Sequence, residues 1–437
     1  MKIPVRVLVP VLLALLCAGA LIGFLWWQLS SSSHALLRQA RTPDASTELA
    51  FTGSVIDTMI PIDSRDQALL KLREGDLLAV RGEWADAETA YAEAVKLEGG
   101  LTALRKLALA QLQRRNMAGL QETIRSLKAA GARPEDVALI ENIVLLRTGE
   151  LTTARRRLED ATDTPQKHYG LALLGLIEGS HDQAKQELTL VTGGWEPVLR
   201  TNARTLLAAY EEFAVFPESS DVHLTTLLSR ALAQVQECEL ALPLLAQVTR
   251  VKEDYRDAWI VQGYCELATE RPQQALTSLE HAYNLNPEKP EIQYFLARAH
   301  AALNEHDNAI TFLEYALQNG FEPKSEVRRL IATESLKKGD ASAALAQYKL
   351  LTEEPGATIE TFEGAVSTAL SLDRKEEAFT LASLATNRLP QNARAFDLLG
   401  LAAIETGKKE EARSALTKAL ELDPYLMSAK ERLEKLK

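Results

Sequence analysis

The sequence predicts an all-α chain, a row of short antiparallel helical hairpins stacked as an α-solenoid behind one apolar N-terminal segment. Three observations predict it. The spacing of small and bulky residues repeats along most of the chain. Gly and Pro together number 38 of 437 residues, about 9% against ~12% in average proteins, which favours long regular elements. Near the start, residues 7–27 are 21 consecutive uncharged residues. Hydrophobic residues make up 46% and charged residues 25%, the balance of a chain that buries a substantial core.

Charge and cysteine usage exclude several function classes. Lys and Arg number 49 against 60 Asp and Glu, a formal charge of −11. A phosphate-backbone binder normally presents a basic face, so nucleic acid is not the expected partner. Three cysteines make neither a disulfide framework nor a four-thiolate metal site.

The N-terminal run reads VLVPVLLALLCAGALIGFLWW. A helix of this length spans roughly 31 Å, matching a hydrocarbon core of about 30 Å. Twelve of its residues are Leu, Ile, Val or Phe. Lys2 and Arg6 precede it, and Trp26-Trp27 fall where an interfacial aromatic belt would lie. The reading is an inner-membrane, single-pass protein with a cytoplasmic N-terminus and an extracytoplasmic, periplasmic remainder. The alternative is a cleaved signal peptide with Ala18-Gly19-Ala20 as its small-residue site, but the apolar run continues well past those residues. Residues 1–29 are thus read as tip and membrane anchor, and 30–65, with four consecutive serines and no sustained period, as a linker.

The rest is decided by self-comparison. Trp259, Gly263, Ala275, Leu279, Ala282, Leu285 and Pro287 share their spacings with Phe396, Gly400, Ala412, Leu416, Ala419, Leu422 and Pro424, an offset of 137 residues or about four times 34. Units starting near 222, 256, 290, 325, 359 and 393 follow, with earlier ones near 68, 101, 135 and 165. Each has two apolar-periodic helices broken by a turn such as Gly149-Glu150, Gly339-Asp340 or Gly407-Lys408. This pattern resembles the tetratricopeptide repeat family. The resemblance implies a right-handed solenoid of about ten helix-turn-helix units, non-enzymatic, binding partner proteins on its concave surface without a cofactor or metal. It divides the chain into an N-terminal arm (66–194), an irregular break with one helix (195–221), a C-terminal arm (222–426) and a polar capping helix (427–437). Gln262 and Glu266 stand where the family prefers apolar residues, so the helix near 256 is expected to fray or shift.

Carried onto this chain, the family's groove positions in the C-terminal arm hold Arg230, Tyr264, Tyr294, Arg298, Arg329 and Lys337. A mixed aromatic and basic stripe of this kind would attract an extended acidic protein segment. The alternative is a set of solvated residues paired with Glu291, Glu326 and Glu360. The family's carboxylate clamp needs Lys and Asn where this chain has Tyr294, Arg298, Arg329 and Thr333, so that specificity is not carried over. In the N-terminal arm the same positions are largely apolar (among them Leu69, Leu72, Leu109, Leu112, Tyr169 and Leu173), which reads as an interface or as core packing. Cys238 and Cys265 lie in adjacent units and are a candidate disulfide pair, with buried free thiols as the alternative. His300 falls at a packing position, and no phosphate loop, zinc-protease helix or nucleophile elbow is present. The expected function is a membrane-anchored scaffold recruiting proteins to a cell-envelope assembly. A cytoplasm-facing adaptor of the same fold and an enzyme with unrecognised catalytic residues are the alternatives, and no small-molecule substrate is expected.

Overall fold

The computed structural model describes residues 64–436, apart from 81–82, 195 and 216–217. All of these belong to one unit. Among the described residues there are 22 helices and no strand. Four hairpins come first: α1 (Ser64–Val80) with α2 (Trp84–Lys96), α3 (Gly100–Gln113) with α4 (Met117–Ala129), α5 (Pro134–Arg147) with α6 (Leu151–Glu159), and α7 (Pro165–Glu178) with α8 (His181–Thr192). A single helix, α9 (Pro197–Ala214), follows. Six more hairpins come next: α10 (Asp221–Gln234) with α11 (Cys238–Val251), α12 (Arg256–Ala268) with α13 (Pro272–Leu285), and α14 (Pro290–Ala302) with α15 (His306–Gln318). The last three are α16 (Lys324–Lys338) with α17 (Ala341–Glu353), α18 (Ile359–Ser371) with α19 (Lys375–Arg388), and α20 (Ala393–Glu405) with α21 (Lys409–Leu422). The helix α22 (Met427–Lys435) closes the array.

The expected membrane span, its tip and the linker lie outside the described residues. The inner-membrane, single-pass placement is corrected: among the described residues no helix is long and apolar enough to cross a membrane. The longest, α9, has 18 residues, about 27 Å at 1.5 Å per residue, against a hydrocarbon core of about 30 Å. It also carries Arg200, Arg204, Glu211 and Glu212.

The repeating small residues explain the stacking. A Cβ added to Gly263 would meet Leu279 at 2.5 Å, and one added to Gly400 would meet Leu416 at 2.5 Å. In these two hairpins the second helix therefore inserts a leucine where its partner has no side chain. Leu279, Leu416, Ala275, Ala282, Ala412 and Ala419 are all fully buried. Burying a leucine contributes roughly 1.5–3 kcal/mol, so each hairpin needs its neighbours to hide the face that bears it. Helices pack on their sequence neighbours, and the first helices of successive hairpins also touch, as in α10 with α12, α12 with α14 and α18 with α20. Gly339 and Gly407 end first helices at φ of +89° and +77°, the left-handed backbone that glycine adopts without a steric penalty. Elsewhere Arg115, Gln236, Glu270, Asn304 and Asp373 occupy the same conformation, which the sequence did not signal.

The helix over Arg256–Ala268 is intact, contrary to the expectation that Gln262 and Glu266 would fray it. The polar groups bond one another within the hairpin and across to the preceding helix, with only Glu266 Oε2 among them left without a hydrogen-bond partner. Thr249 Oγ1 donates to Gln262 Oε1 at 3.3 Å, and Gln262 Nε2 donates to Glu266 Oε1 at 3.1 Å and Ser278 Oγ at 3.2 Å. A buried amide with partners costs little, whereas one without them costs roughly 1–3 kcal/mol.

The single helix α9 packs on α7, α8 and α10. One core cluster runs without interruption from Leu146 through Leu199, Ala203 and Leu206 to Cys265. Beyond this odd helix the array makes a contact that no neighbour rule supplies, α11 against α5. Arg147, at the end of α5, places Nε 2.9 Å from Glu237 Oε2, and its two terminal nitrogens donate to the Leu112 and Gln236 carbonyls at 3.0 and 3.1 Å. Arg115 pairs with Glu239 at 2.7 Å. The Arg147 and Glu237 side chains are only 2% and 5% exposed, so this is a desolvated clamp between residues 90 positions apart.

Candidate functional site

The first helices α10, α12 and α14 lie side by side, and their free faces enclose a cavity of about 480 Å³. Leu227, Ile260, Val261, Tyr264 and Phe295 supply its apolar wall. Helical spacing explains why these residues converge: Leu227, Arg230 and Gln234 share one face of α10, and Ile260, Val261 and Tyr264 share one face of α12. Tyr255 stands at the mouth, its hydroxyl 2.8 Å from His223 Nδ1. Burial pushes the Tyr255 and Tyr264 hydroxyls above the ordinary tyrosine range, so both are neutral hydrogen-bonding groups. The rim carries two cations, Arg230 and Lys289, against three carboxylates, Glu212, Asp257 and Glu291, and Arg230 is ion-paired with Glu212.

From this cavity a line of rings runs along the array. Tyr264 meets Phe295 edge-on at 5.5 Å, Phe295 meets Tyr294 at 5.4 Å, and Tyr294 stacks on Phe321 at 4.4 Å. Tyr294 is buried, donates to Glu326, and has its hydroxyl pushed up to about 12 by burial and that carboxylate. Arg298 lies with its guanidinium 5.9 Å from the Tyr294 ring centroid and close enough to Tyr264 to act on it electrostatically. Arg329 borders a separate hollow of about 170 Å³ beside the Glu354–Thr358 turn. Both arginines are exposed, and among the described residues neither has a carboxylate partner. Lys337 is tied to Glu334 at 2.8 Å, on the side where His306 also engages that carboxylate.

Of the six residues read from the sequence, Arg230 and Tyr264 line the cavity, and Arg298 lies beside the Tyr294 ring. Tyr294 belongs to the packed ring stack, while Arg329 and Lys337 lie farther along. The sequence reading missed His223, Tyr255, Ile260 and Phe295. The signal available for three of them was their spacing from Arg230 and Tyr264 on the free faces of successive first helices.

Comparison with known proteins is consistent with this architecture. Tetratricopeptide repeat family profiles match residues 226–283, 266–333 and 393–426. Those stretches of the chain are similar to tetratricopeptide repeats. No curated protein matches the sequence. Among solved structures, pilF of Pseudomonas aeruginosa is similar at 15% identity and a TM-score of 0.37, over 49% of this chain and 97% of that one. YrrB, described as a TPR protein with an unusual peptide-binding site, is similar at 18% identity and 0.36, over 44% and 97%. Yeast Tom70 is similar at 14% identity and 0.30, over 84% and 94%. Proteins built of these repeats are generally scaffolds for protein–protein contact.

The remaining candidates in the repeats serve packing. Most of the apolar positions of the N-terminal arm are core: Leu72, Leu112, Tyr169 and Leu173 are buried, and only Leu69 and Leu109 among those named are exposed. His300 is buried, stacks on Phe312 and is 2.6 Å from Glu305. Cys238 and Cys265 are free and buried. Burial pushes the Cys265 thiol up, and the neighbouring Cys238 thiol adds to the effect, so Cys265 is a protonated packing group.

Proposed function

We propose that the protein is a scaffold that captures a segment of a partner protein along the hollow between α10, α12 and α14. The observation that carries this reading is the 480 Å³ cavity, walled by apolar side chains from three successive first helices. The bound segment seats an aliphatic or aromatic side chain against Tyr264 and Phe295, where a desolvated aromatic contact concentrates binding energy. Beyond that anchor, acidic residues of the segment reach Arg298 and Arg329, cations that no carboxylate among the described residues neutralises. The internally paired rim charges, Arg230 with Glu212 and Lys289 with Glu291, set orientation more than affinity.

The test uses the full chain with a photo-crosslinking residue at position 260. The captured segment is identified and remade as a labelled peptide. Tyr264→Ala is expected to weaken its binding about thirtyfold, the effect of losing a hot-spot aromatic of roughly 2 kcal/mol. The pair R298E/R329E is expected to weaken it at least tenfold, with loss of its salt dependence. Wild-type affinity in both variants would overturn the reading.

A further inference from the structure

The N-terminal arm carries a second hollow, with a more basic rim. Between residues 100 and 157 the chain has eleven Lys and Arg against five Asp and Glu, a local charge of +6 within a chain of −11. In the same stretch α4 and α5 form the most weakly packed consecutive pair of helices in the array. They share a core through Leu127, Val137, Ile140 and Ile143, and splay apart beside it. The opening is a cavity of about 330 Å³ floored by Met117, Leu120, Ile124, Val144 and Leu145. Along α4 its lining residues are 117, 120, 121, 124, 125 and 128, the i, i+3, i+4, i+7 series of a single helix face over three turns.

The rim of this cleft is basic. Arg125, Lys128 and Arg157 surround one acidic residue, Glu141. Glu141 is shared by Lys128 at 2.6 Å and Arg157 at 3.4 Å, and Arg125 has no carboxylate partner among the described residues. One carboxylate facing three cations leaves an excess of +2 around an apolar floor.

We infer that this cleft is a docking site for an acidic amphipathic helix of a partner protein. A helix matches the three-turn floor: its apolar stripe lies on the half-buried Met117, Val144 and Leu145, backed by the buried Leu120 and Ile124, while flanking carboxylates reach Arg125, Arg157 and Lys128. An extended strand would present alternate side chains away from the recessed floor. A flat anionic lipid surface would reach the rim without entering the cleft. This site is separate from the α10–α14 cavity and does not depend on it.

The test measures anisotropy of a fluorescent helical peptide of about five turns, with a leucine stripe flanked on both sides by glutamate. Two control peptides replace glutamate by lysine or leucine by serine. The glutamate–leucine peptide is expected to bind the full chain with an affinity that falls as salt rises, and each control at least tenfold more weakly. R125E/R157E and Gln121→Trp change exposed lining positions and are expected to lower the affinity at least tenfold. Equal binding of the lysine peptide, no binding of the glutamate–leucine peptide, or unchanged affinity in both variants would overturn the assignment. So would charge-dependent binding to vesicles of phosphatidylcholine and phosphatidylglycerol with none to the peptide.

Discussion

The C-terminal arm and the middle of the chain hold their helices in place by different means. In the arm, the ion pairs of Arg394 bridge adjacent repeats and stay wet: Arg394 of α20 reaches Glu360 and Glu363 of α18, with 46% of its side chain exposed. In the middle, the Arg147–Glu237 pair ties two helices separated by five others in sequence and is almost wholly out of water. Exposed pairs at neighbour interfaces add little and can be lost singly. A desolvated pair across a long sequence separation fixes one geometry, because once formed its charges have nowhere else to go. Stability in the arm is therefore a sum of neighbour terms, while the middle also rests on a long-range clamp with Arg147–Glu237 at its dry centre.

The largest expected effect follows from that contrast. Arg147→Ala leaves Glu237 buried and unpaired and orphans the Leu112 and Gln236 carbonyls, for an expected loss of ~3–5 kcal/mol. Denaturant melts followed by near-ultraviolet dichroism measure it. Burial pushes the Glu237 carboxyl above its ordinary range, opposed by Arg147. A carboxyl raised in the folded state favours folding at low pH, and that contribution is lost as pH rises through the folded pKa. Removing Arg147 raises the carboxyl further, so the deficit of Arg147→Ala should be greatest near neutrality and shrink on acidification. A loss below about 1 kcal/mol would erase the distinction between the two regions.

A smaller effect probes what the regions have in common. Gly263→Ala and Gly400→Ala each force a methyl to within 2.5 Å of a buried leucine and should cost ~1–3 kcal/mol. Matching losses in thermal melts would show that one packing rule serves units 137 residues apart. A loss at only one of them would place the repeats in different registers.

These glycines also mark how far the sequence could be read. Gly263 and Leu279 sit 16 positions apart, as do Gly400 and Leu416, so their contact is written in local spacing. Hairpin number and the small-residue seams were legible for the same reason. Arg147 and Glu237 are 90 positions apart and obey no period, so nothing in the string joins them. The odd helix α9 was visible as one helix, but its consequence, the meeting of α5 and α11, depends on three-dimensional accumulation over several units. At the groove, Arg230 and Tyr264 were legible from family positions, while Tyr255 sits in a turn outside them. Gln262 and Glu266 looked like defects because their partners, Thr249 and Ser278, come from the helices on either side.

The smallest expected effect sharpens the comparison from the other side. Arg394 donates to Glu363 through Nε at 2.9 Å and to Glu360 through a terminal nitrogen at 3.0 Å, a forked geometry that is favourable for an exposed pair. The carboxylates hold the Arg394 guanidinium more firmly charged, with the Glu363 hydrogen bond the main cause. Water competes for every one of these contacts, so Arg394→Ala should cost below about 1 kcal/mol. Raising the salt should shrink that loss further, since exposed charges are screened over about 10 Å at 0.1 M. The Arg147→Ala loss, made inside the protein, should hold nearly constant over the same range. Parallel salt titrations of the two variants thus separate a wet neighbour bridge from a dry distant clamp by slope as well as by size. Equal slopes would mean that solvent reaches Arg147 and that the clamp opens in solution.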